Sequence, residues 1–591
     1  MRLLTLPTRA AWMLAAIGLS GTAVSAQTTA APDKSPSPTL HATARLVIVD
    51  VAVTDNHGDP VKGLTQSDFR VIEDKTPQTI RNFEEHTSIA DVGPAAGPPL
   101  KLEPGVFTNS FAAPVNSEVN VLMLDMINTP MMDQSFVRGQ LLKYLATAKP
   151  GSRIAIFGLT TKLVMLQGFT ADTDLLRRAV ERSHPVASPL LAEKVGGRED
   201  IVSSELAGIE AQLSVSPQMA QAIAEFGATE VNSDIAGRVQ VTLHALNQLA
   251  RYLSGIPGRK NLLWFSESFP VDFLPQMSLP TGGTALSPFA GEAAWASQYR
   301  ETVNLLAQSR IAVYPVDARG LMPSPPLGES SVKYQRSVSN ELFETHSSMF
   351  DMAEQTGGKA FVNTNGLAQA VEKVVDAGSN YYTLAYTPTD SKSHGEYRGI
   401  RVQLNGSNYK LAYRRGYYAD TKPATPSLRD AMKSVALFAA PPSTQIPFYA
   451  RVQPLPPEAE AAVAPGEVAP SRTELEKGHF VRYGVEYSVD PRGLSISTAA
   501  DGSHHGHLEF VVLAYDPEGR KINSDVKTVQ ANWNGSQFNL AQQQGVRYEQ
   551  EIGVPAKGEY TLRVVIHDLQ NGKMGSLDVP LAQLKGLAPA H

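Results

Sequence analysis

The chain has 591 residues, 42% of them hydrophobic, a formal net charge of −6 and no cysteine. That length accommodates roughly three to four domains with cores of ordinary size. The slight acidity gives no basic excess for a nucleic-acid partner, and the lack of thiols excludes disulfides, thiolate catalysis and cysteine-ligated metals.

Residues 1–26 have the anatomy of a secretory signal peptide. Arg2 and Arg9 form a positive n-region ahead of an apolar stretch from Ala10 to Ile17, and Val24-Ser25-Ala26 is a small-x-small cleavage signal ahead of Gln27. The apolar stretch is shorter than the roughly 20 residues of a permanent anchor, which is the alternative reading. No later segment has the apolar length of a membrane span. The expectation is an extracytoplasmic protein, in the periplasm, on the cell surface or outside the cell, with no transmembrane segment in the mature chain.

Residues 27–43 are rich in Pro, Ser and Thr and read as a disordered leader. Residues 44–88 alternate apolar and polar side chains around the turn Asn56-His57-Gly58-Asp59, which predicts a small β-module. Residues 89–117 read as a Gly/Pro/Ala-rich linker. From 118 to 390 the pattern becomes α/β. The runs 119–125, 152–160, 260–266, 310–317 and 381–388 are candidate buried strands, and 162–169 follows 152–160 so closely that the two should pair antiparallel. Helical spacing lies between them, at 135–148, 174–182, 234–254, 292–308, 340–355 and 366–377. This alternation predicts a doubly wound, mostly parallel sheet with helices on both faces. Two insertions interrupt it, one at 184–232 with a helix near 204–226, and a long loop at 270–290. Residues 391–420 read as a β-hairpin extension of the α/β domain, turning at Asn405-Gly406-Ser407. Residues 421–478 read as a linker or insertion, and 479–588 as a β-sandwich-like domain.

In open α/β sheets ligands sit beyond the carboxyl ends of the strands. The first buried strand ends at Asp125, followed by Asn128 and Thr129. A carboxylate and two oxygen-bearing side chains in one tight loop suit a hard cation such as Mg²⁺ or another divalent ion. The alternative is that Asp125 closes the strand end while Asn128 and Thr129 satisfy loop backbone groups. Asp317-Ala318-Arg319-Gly320 ends another strand at the same edge and reads as an ion pair shaping its loop. His504-His505-Gly506-His507 reads as a solvated loop, and Asp55, His57 and Asp59 as a hairpin turn. Signatures of the lipase elbow, the zinc proteases and the P-loop are absent from the mature chain.

The motifs VNVLMLDMINTP, SRIAIFGLTTKL, GFTADTDLL, IPGRKNLLWFSESFP, AVYPVDARGL, AEQTGGKAF, YYTLAYTP and RRGYYA occur in order across residues 119–419. Together they resemble the VWFA-related family common in acidobacteria, a branch of the von Willebrand factor A fold, and residues 49–83 resemble that family's N-terminal strand module. The resemblance implies a metal-ion-dependent adhesion site built on Asp-x-Ser-x-Ser, with a later Thr and a later Asp. Asp125 matches the first Asp and Thr129 the second Ser, while Ile127 stands where the first Ser belongs. Thr242 lies near the place of the Thr, and Glu267 stands in for the late Asp. The function these readings imply is a secreted, non-catalytic interaction or adhesion module. It would bind a protein or cell-envelope ligand at the carboxyl edge of the sheet, through a degenerate metal site. The alternatives are a metal-assisted extracellular hydrolase anchored on Asp125 and a structural envelope component.

Overall fold

The computed structural model describes residues 46–87, 102–110, 119–148, 153–191, 217–267, 292–321, 345–378, 380–390, 395–405, 409–419, 425–456, 480–584 and 586. The signal peptide, the leader and the 270–290 loop read from the sequence lie outside these residues. The described chain is mixed α/β with several sheets, one of them largely parallel. Strands and helices are numbered in chain order.

The parallel sheet holds β6 (Val119–Asp125), β7 (Arg153–Leu159), β8 (Leu163–Thr170), β9 (Lys260–Ser266) and β10 (Ile311–Asp317), in the order β10-β9-β6-β7-β8. All its pairings are parallel except that of β8 with β7. Every residue of β6, β9 and β10 is buried, as unbroken apolar runs require. Alternate side chains of β6 enter two different cores. Val121 and Met123 pack with Leu243, Leu246 and Leu249 of α3 (Pro217–Leu253) and with Tyr299, Val303 and Leu306 of α4 (Glu292–Gln308). Leu122 and Leu124 pack with Val137 and Leu141 of α1 (Met131–Thr147), Leu176 and Val180 of α2 (Thr173–Arg182), and Leu367 and Val371 of α5 (Leu367–Gly378). Each such buried aliphatic side chain contributes roughly 1.5–3 kcal/mol. The sequence predicts separate helices near 204–226 and 234–254; the structure has one continuous α3. No proline falls between its first residue and Leu253, so no residue in that stretch lacks the backbone N–H the helix uses.

The run at 381–388 does not join this sheet. Its strand, β11 (Tyr381–Tyr386), pairs antiparallel with β1 (Val47–Thr54) and β4 (Ile80–His86). The physical reason is in its tyrosines. The Tyr382 hydroxyl donates to Val61 O at 3.0 Å and that of Tyr386 to Glu73 at 2.5 Å, partners that only the β-module offers. The expected hairpin extension at 391–420 is likewise part of that module. There β12 (Tyr397–Leu404) pairs with β2 (Phe69–Glu73) and β14 (Gly416–Tyr418), and β13 (Lys410–Ala412) pairs with β1. One core of Val49, Val51, Phe69, Tyr382, Leu384 and Val402 therefore joins chain from both sides of the α/β segment.

Two segments read as linkers contribute to the C-terminal core. β5 (Val106–Thr108) and β15 (Phe448–Pro454) pair with each other, and β15 with β16 (Phe480–Val489), which pairs with β20 (Val546–Pro555). The facing sheet is built on β18 (His504–Tyr515), flanked by β17 (Ser497–Thr498), β19 (Lys521–Trp533) and β21 (Thr561–Asp568), with β22 (Met574–Pro580) beyond. Phe448, Val485, Phe510 and Val564 fill the space between the two sheets. Helix α6 (Thr425–Ala436) covers the outer face through Ala431 and Val435.

Arg563 fixes that cover. Its side chain is fully buried, and its guanidinium donates to Val435 O, Ala440 O and Pro441 O at 2.8–3.2 Å, and to Asp578 and Ser576. Arg563→Met removes donors from three carbonyls and strands Asp578. The expected cost is about 3–5 kcal/mol, seen as an earlier first transition in calorimetry of the full chain. An unchanged thermogram would remove Arg563 as the anchor.

Candidate functional site

The carboxyl ends of β6, β9 and β10 meet at one edge, where the sequence places its candidate residues. Asp125 ends β6 and is 2% exposed. One of its oxygens accepts from Ile127 N at 3.2 Å and Asn128 N at 3.0 Å. The other accepts from Asn128 Nδ2 at 2.8 Å, Trp264 Nε1 at 2.9 Å and Ser266 Oγ at 3.0 Å. Burial pushes this carboxyl above the usual range, and the hydrogen bonds from Asn128, Trp264 and Ser266 offset that only in part.

The other three candidates are nearby but not around a common point. Thr242 is fully buried within α3; its hydroxyl accepts from Asn128 Nδ2 at 2.9 Å and donates to Arg238 O at 2.8 Å. Thr129 Oγ1 accepts from Glu267 N at 3.2 Å, so these two meet through backbone rather than through a carboxylate. Ile127 is buried in the core against α3. This donor set does not fit a divalent ion. The Asp125 carboxylate is already filled by five donors, and an ion there would have to displace an indole and a hydroxyl at once. Among the described residues no His, Asp and Glu groups are arranged to hold a metal. In the structure Asp125 is a buried hub, and Thr129 ties the β6–α1 loop to the end of β9.

A second cluster surrounds Asp317 at the end of β10. Arg319 donates to both its oxygens, at 2.9 and 3.0 Å, and His346 Nε2 lies 2.8 Å from Oδ2. Burial works to raise Asp317, but the hydrogen bonds of His346 and Arg319 and the charge of Arg319 hold it below the usual carboxylate range. Gly320 follows at φ +72°, where a Cβ would strike Asn365 and Phe136. Asp133, in the first turn of α1, is hydrogen-bonded to the Glu267 side chain; its pKa is raised by burial and by the charge of Asp317. Asp133, Trp264, Ser266 and His346 are the members that sequence reasoning misses. Asp133 alone carries a signal, as an acidic residue beside the candidate loop.

The remaining motifs take structural roles. Residues 504–507 lie in β18 and not in a loop; His505 is held by Asn532 and Ser503, and His504 stacks on Phe538 at 4.0 Å. Asp55 accepts from the backbone of His57, Gly58 and Asp59, closing a turn. No described helix is long and apolar enough to cross a membrane.

No family model and no curated protein matches the chain. Solved structures with local likeness include an aerotolerance-related membrane protein from Bacteroides fragilis, at 11% identity over 44% of this chain and 98% of that one, TM-score 0.21. A von Willebrand factor type A protein from Catenulispora acidiphila matches at 8% identity over 51% and 66%, TM-score 0.23. A mussel byssus proximal thread matrix protein with a zinc-occupied MIDAS motif matches at 8% over 46% and 48%, TM-score 0.22.

Asp125→Ala removes the acceptor of five hydrogen bonds in a buried site and is expected to cost about 3–5 kcal/mol. Millimolar Mg²⁺ is expected to leave the wild-type melting temperature where a chelator leaves it. A rise of several degrees with Mg²⁺ would mean that the ion displaces the donors. Asp317 gives a pH signature. Its folded pKa lies below the unfolded 3.8, so its contribution is complete above pH 3.8 and is lost as pH falls through the folded value. Asp317→Asn is therefore expected to be destabilised at pH 7 by about 2–4 kcal/mol, with the gap to wild type closing in acid. A gap that widened below pH 3.8 would contradict this assignment.

Proposed function

We propose that this is an exported, non-catalytic interaction protein. Its von Willebrand factor A-like, doubly wound α/β domain binds a protein or cell-envelope ligand at the carboxyl edge of the sheet, without a divalent ion. The carrying observation is that this edge is inward-satisfied and outward-apolar. Asp125 and Asp317, the carboxylates best placed for chemistry, are saturated by protein donors. Met132, Leu321 and Val186 are exposed at the same edge. A catalytic site keeps a reactive group within reach of its substrate; a docking face presents apolar side chains over a rigid base. Export is supported by the n-region, h-region and cleavage signal at the start of the sequence.

A photo-crosslinking residue placed at Met132 should capture one envelope or exported protein of the native host, in the presence of chelator. The same residue at Val526, exposed on β19, should not. Equal capture from both positions, or capture that requires Mg²⁺, would overturn the reading. N-terminal sequencing of the secreted form should begin near Gln27; an intact Met1 in the cytosol would sink the export half of it.

A further inference from the structure

Residues 103–110 lie in sequence between the β-module and the α/β segment, yet their strand, β5, is the edge strand of a sheet of the C-terminal sandwich, beside β15. Val452 N donates to Gly105 O at 2.8 Å, and Phe107 packs on the sandwich core. Thr108 Oγ1 donates to Phe448 O at 2.8 Å. Asn109, 4% exposed, completes the fit. Its Nδ2 donates to Ser443 O at 2.7 Å and Ile446 O at 2.9 Å, and its Oδ1 accepts from Phe448 N at 3.0 Å. Glu103 pairs with Arg451 at 2.7 Å. An extended peptide ligand is held in the same way, by pairing with a sheet edge and by side chains that fix its register. The grip is short. The other strands of that sheet run 7–10 residues, whereas β5 runs three, none of them fully buried. Residues 88–101 and 111–118 join the segment to the β-module and to β6, and can span at most roughly 50 Å and 29 Å. That reach leaves room for the segment to enter another molecule's groove.

We propose that the β15 edge is a peptide groove that two copies of this chain fill reciprocally, each receiving residues 103–110 of the other. The occupant is specified by the contacts themselves. Asn109 meets three backbone groups of the groove and Glu103 meets Arg451, so another strand of similar length would leave the Phe448 N–H and the Ser443 and Ile446 carbonyls short of a partner. An exchanged pair makes the same bonds as a single chain. The balance is therefore set by concentration: the tethered segment prevails in dilute protein, and exchange grows as chains crowd together. A reciprocal exchange fills both grooves and leaves no open edge for a third chain, so it closes at two. No residue of the carboxyl edge takes part, and this assembly is independent of any ligand bound there.

The chain has no cysteine, so introduced thiols report only on themselves. Val106 and Arg451 are register partners across β5 and β15. Two full-length variants, Val106→Cys and Arg451→Cys, are mixed under reductant at roughly micromolar and roughly millimolar concentration, and samples are oxidised at intervals. The expected product is a heterodimer linked between positions 106 and 451, more abundant in the concentrated mixture. Excess free peptide of residues 102–110 should suppress it. Adding Asn109→Ala to both variants should bring the product to its plateau about tenfold sooner without raising the plateau, because the exchanged and unexchanged states lose the same bonds. The Val106→Cys chain mixed with Val526→Cys, exposed on β19, sets the background of chance collisions. A double variant, Val106→Cys with Arg451→Cys, should form the bridge within one chain in dilute solution. If that internal bridge forms while the heterodimer stays at background at millimolar chain, the segment does not leave its own groove and the proposal is overturned. If the internal bridge also fails, the groove itself is lost and the proposal with it.

Discussion

The carboxyl edge depends on how one buried charge is satisfied. Asp125 ends the central strand almost entirely out of bulk solvent, and a carboxylate in such a place must be surrounded by donors. The donors come from two directions. Two backbone N–H groups and Asn128 come from the loop that follows, and Trp264 and Ser266 come from the neighbouring strand β9. Asn128 in turn reaches Thr242 on α3. Loop, strand and helix are therefore positioned by a common acceptor, and the exposed first turn of α1 starts from a rigid base.

The opposite edge of the same sheet meets the same problem in another way. Asp50 of the β-module is buried and takes a bidentate pair from Arg310 and a hydrogen bond from Thr383. Burial alone would raise Asp50; the Arg310 guanidinium holds it below the usual range instead. Arg259 donates to Asp50 O, Tyr314 and Gly357 O, and Lys260 places its ammonium on Ile256 O at 2.6 Å, where burial pushes its pKa down to about 7. These pairs are costly to break from one side, because each removal strands a buried charge. The β-module is clamped on that edge by side chains, whereas the carboxyl edge turns its apolar side chains outward.

What the sequence discloses follows from the range over which each residue acts. β6, β9 and β10 are legible because each is buried on both faces, so its apolar run is complete within seven residues. β11 has the same look, yet its tyrosine hydroxyls demand partners at Val61 and Glu73, more than 300 positions away. β5 has three residues, too few for any period to show, and β15 is followed by a Pro/Ala/Glu-rich tract that gives the whole region the composition of a linker. At the site, Asp125 is visible as the polar end of an apolar strand. Its filling is not, because Trp264 and Ser266 lie 139 and 141 positions away and either type fits a buried strand end without a carboxylate beside it.

The same reasoning says what an ion at Asp125 would have to overcome. An ion needs oxygens that are free to turn toward it. Ile127 removes one, Asn128 spends its amide on Asp125 and Thr242, and the indole of Trp264 occupies the carboxylate from the strand side. Asn128 and Trp264 are neutral donors, so the carboxylate is satisfied from within the protein. The loop keeps its shape because these donors hold it there. The apolar side chains of Met132, Val186 and Leu321 stay outside that network, exposed at the same edge.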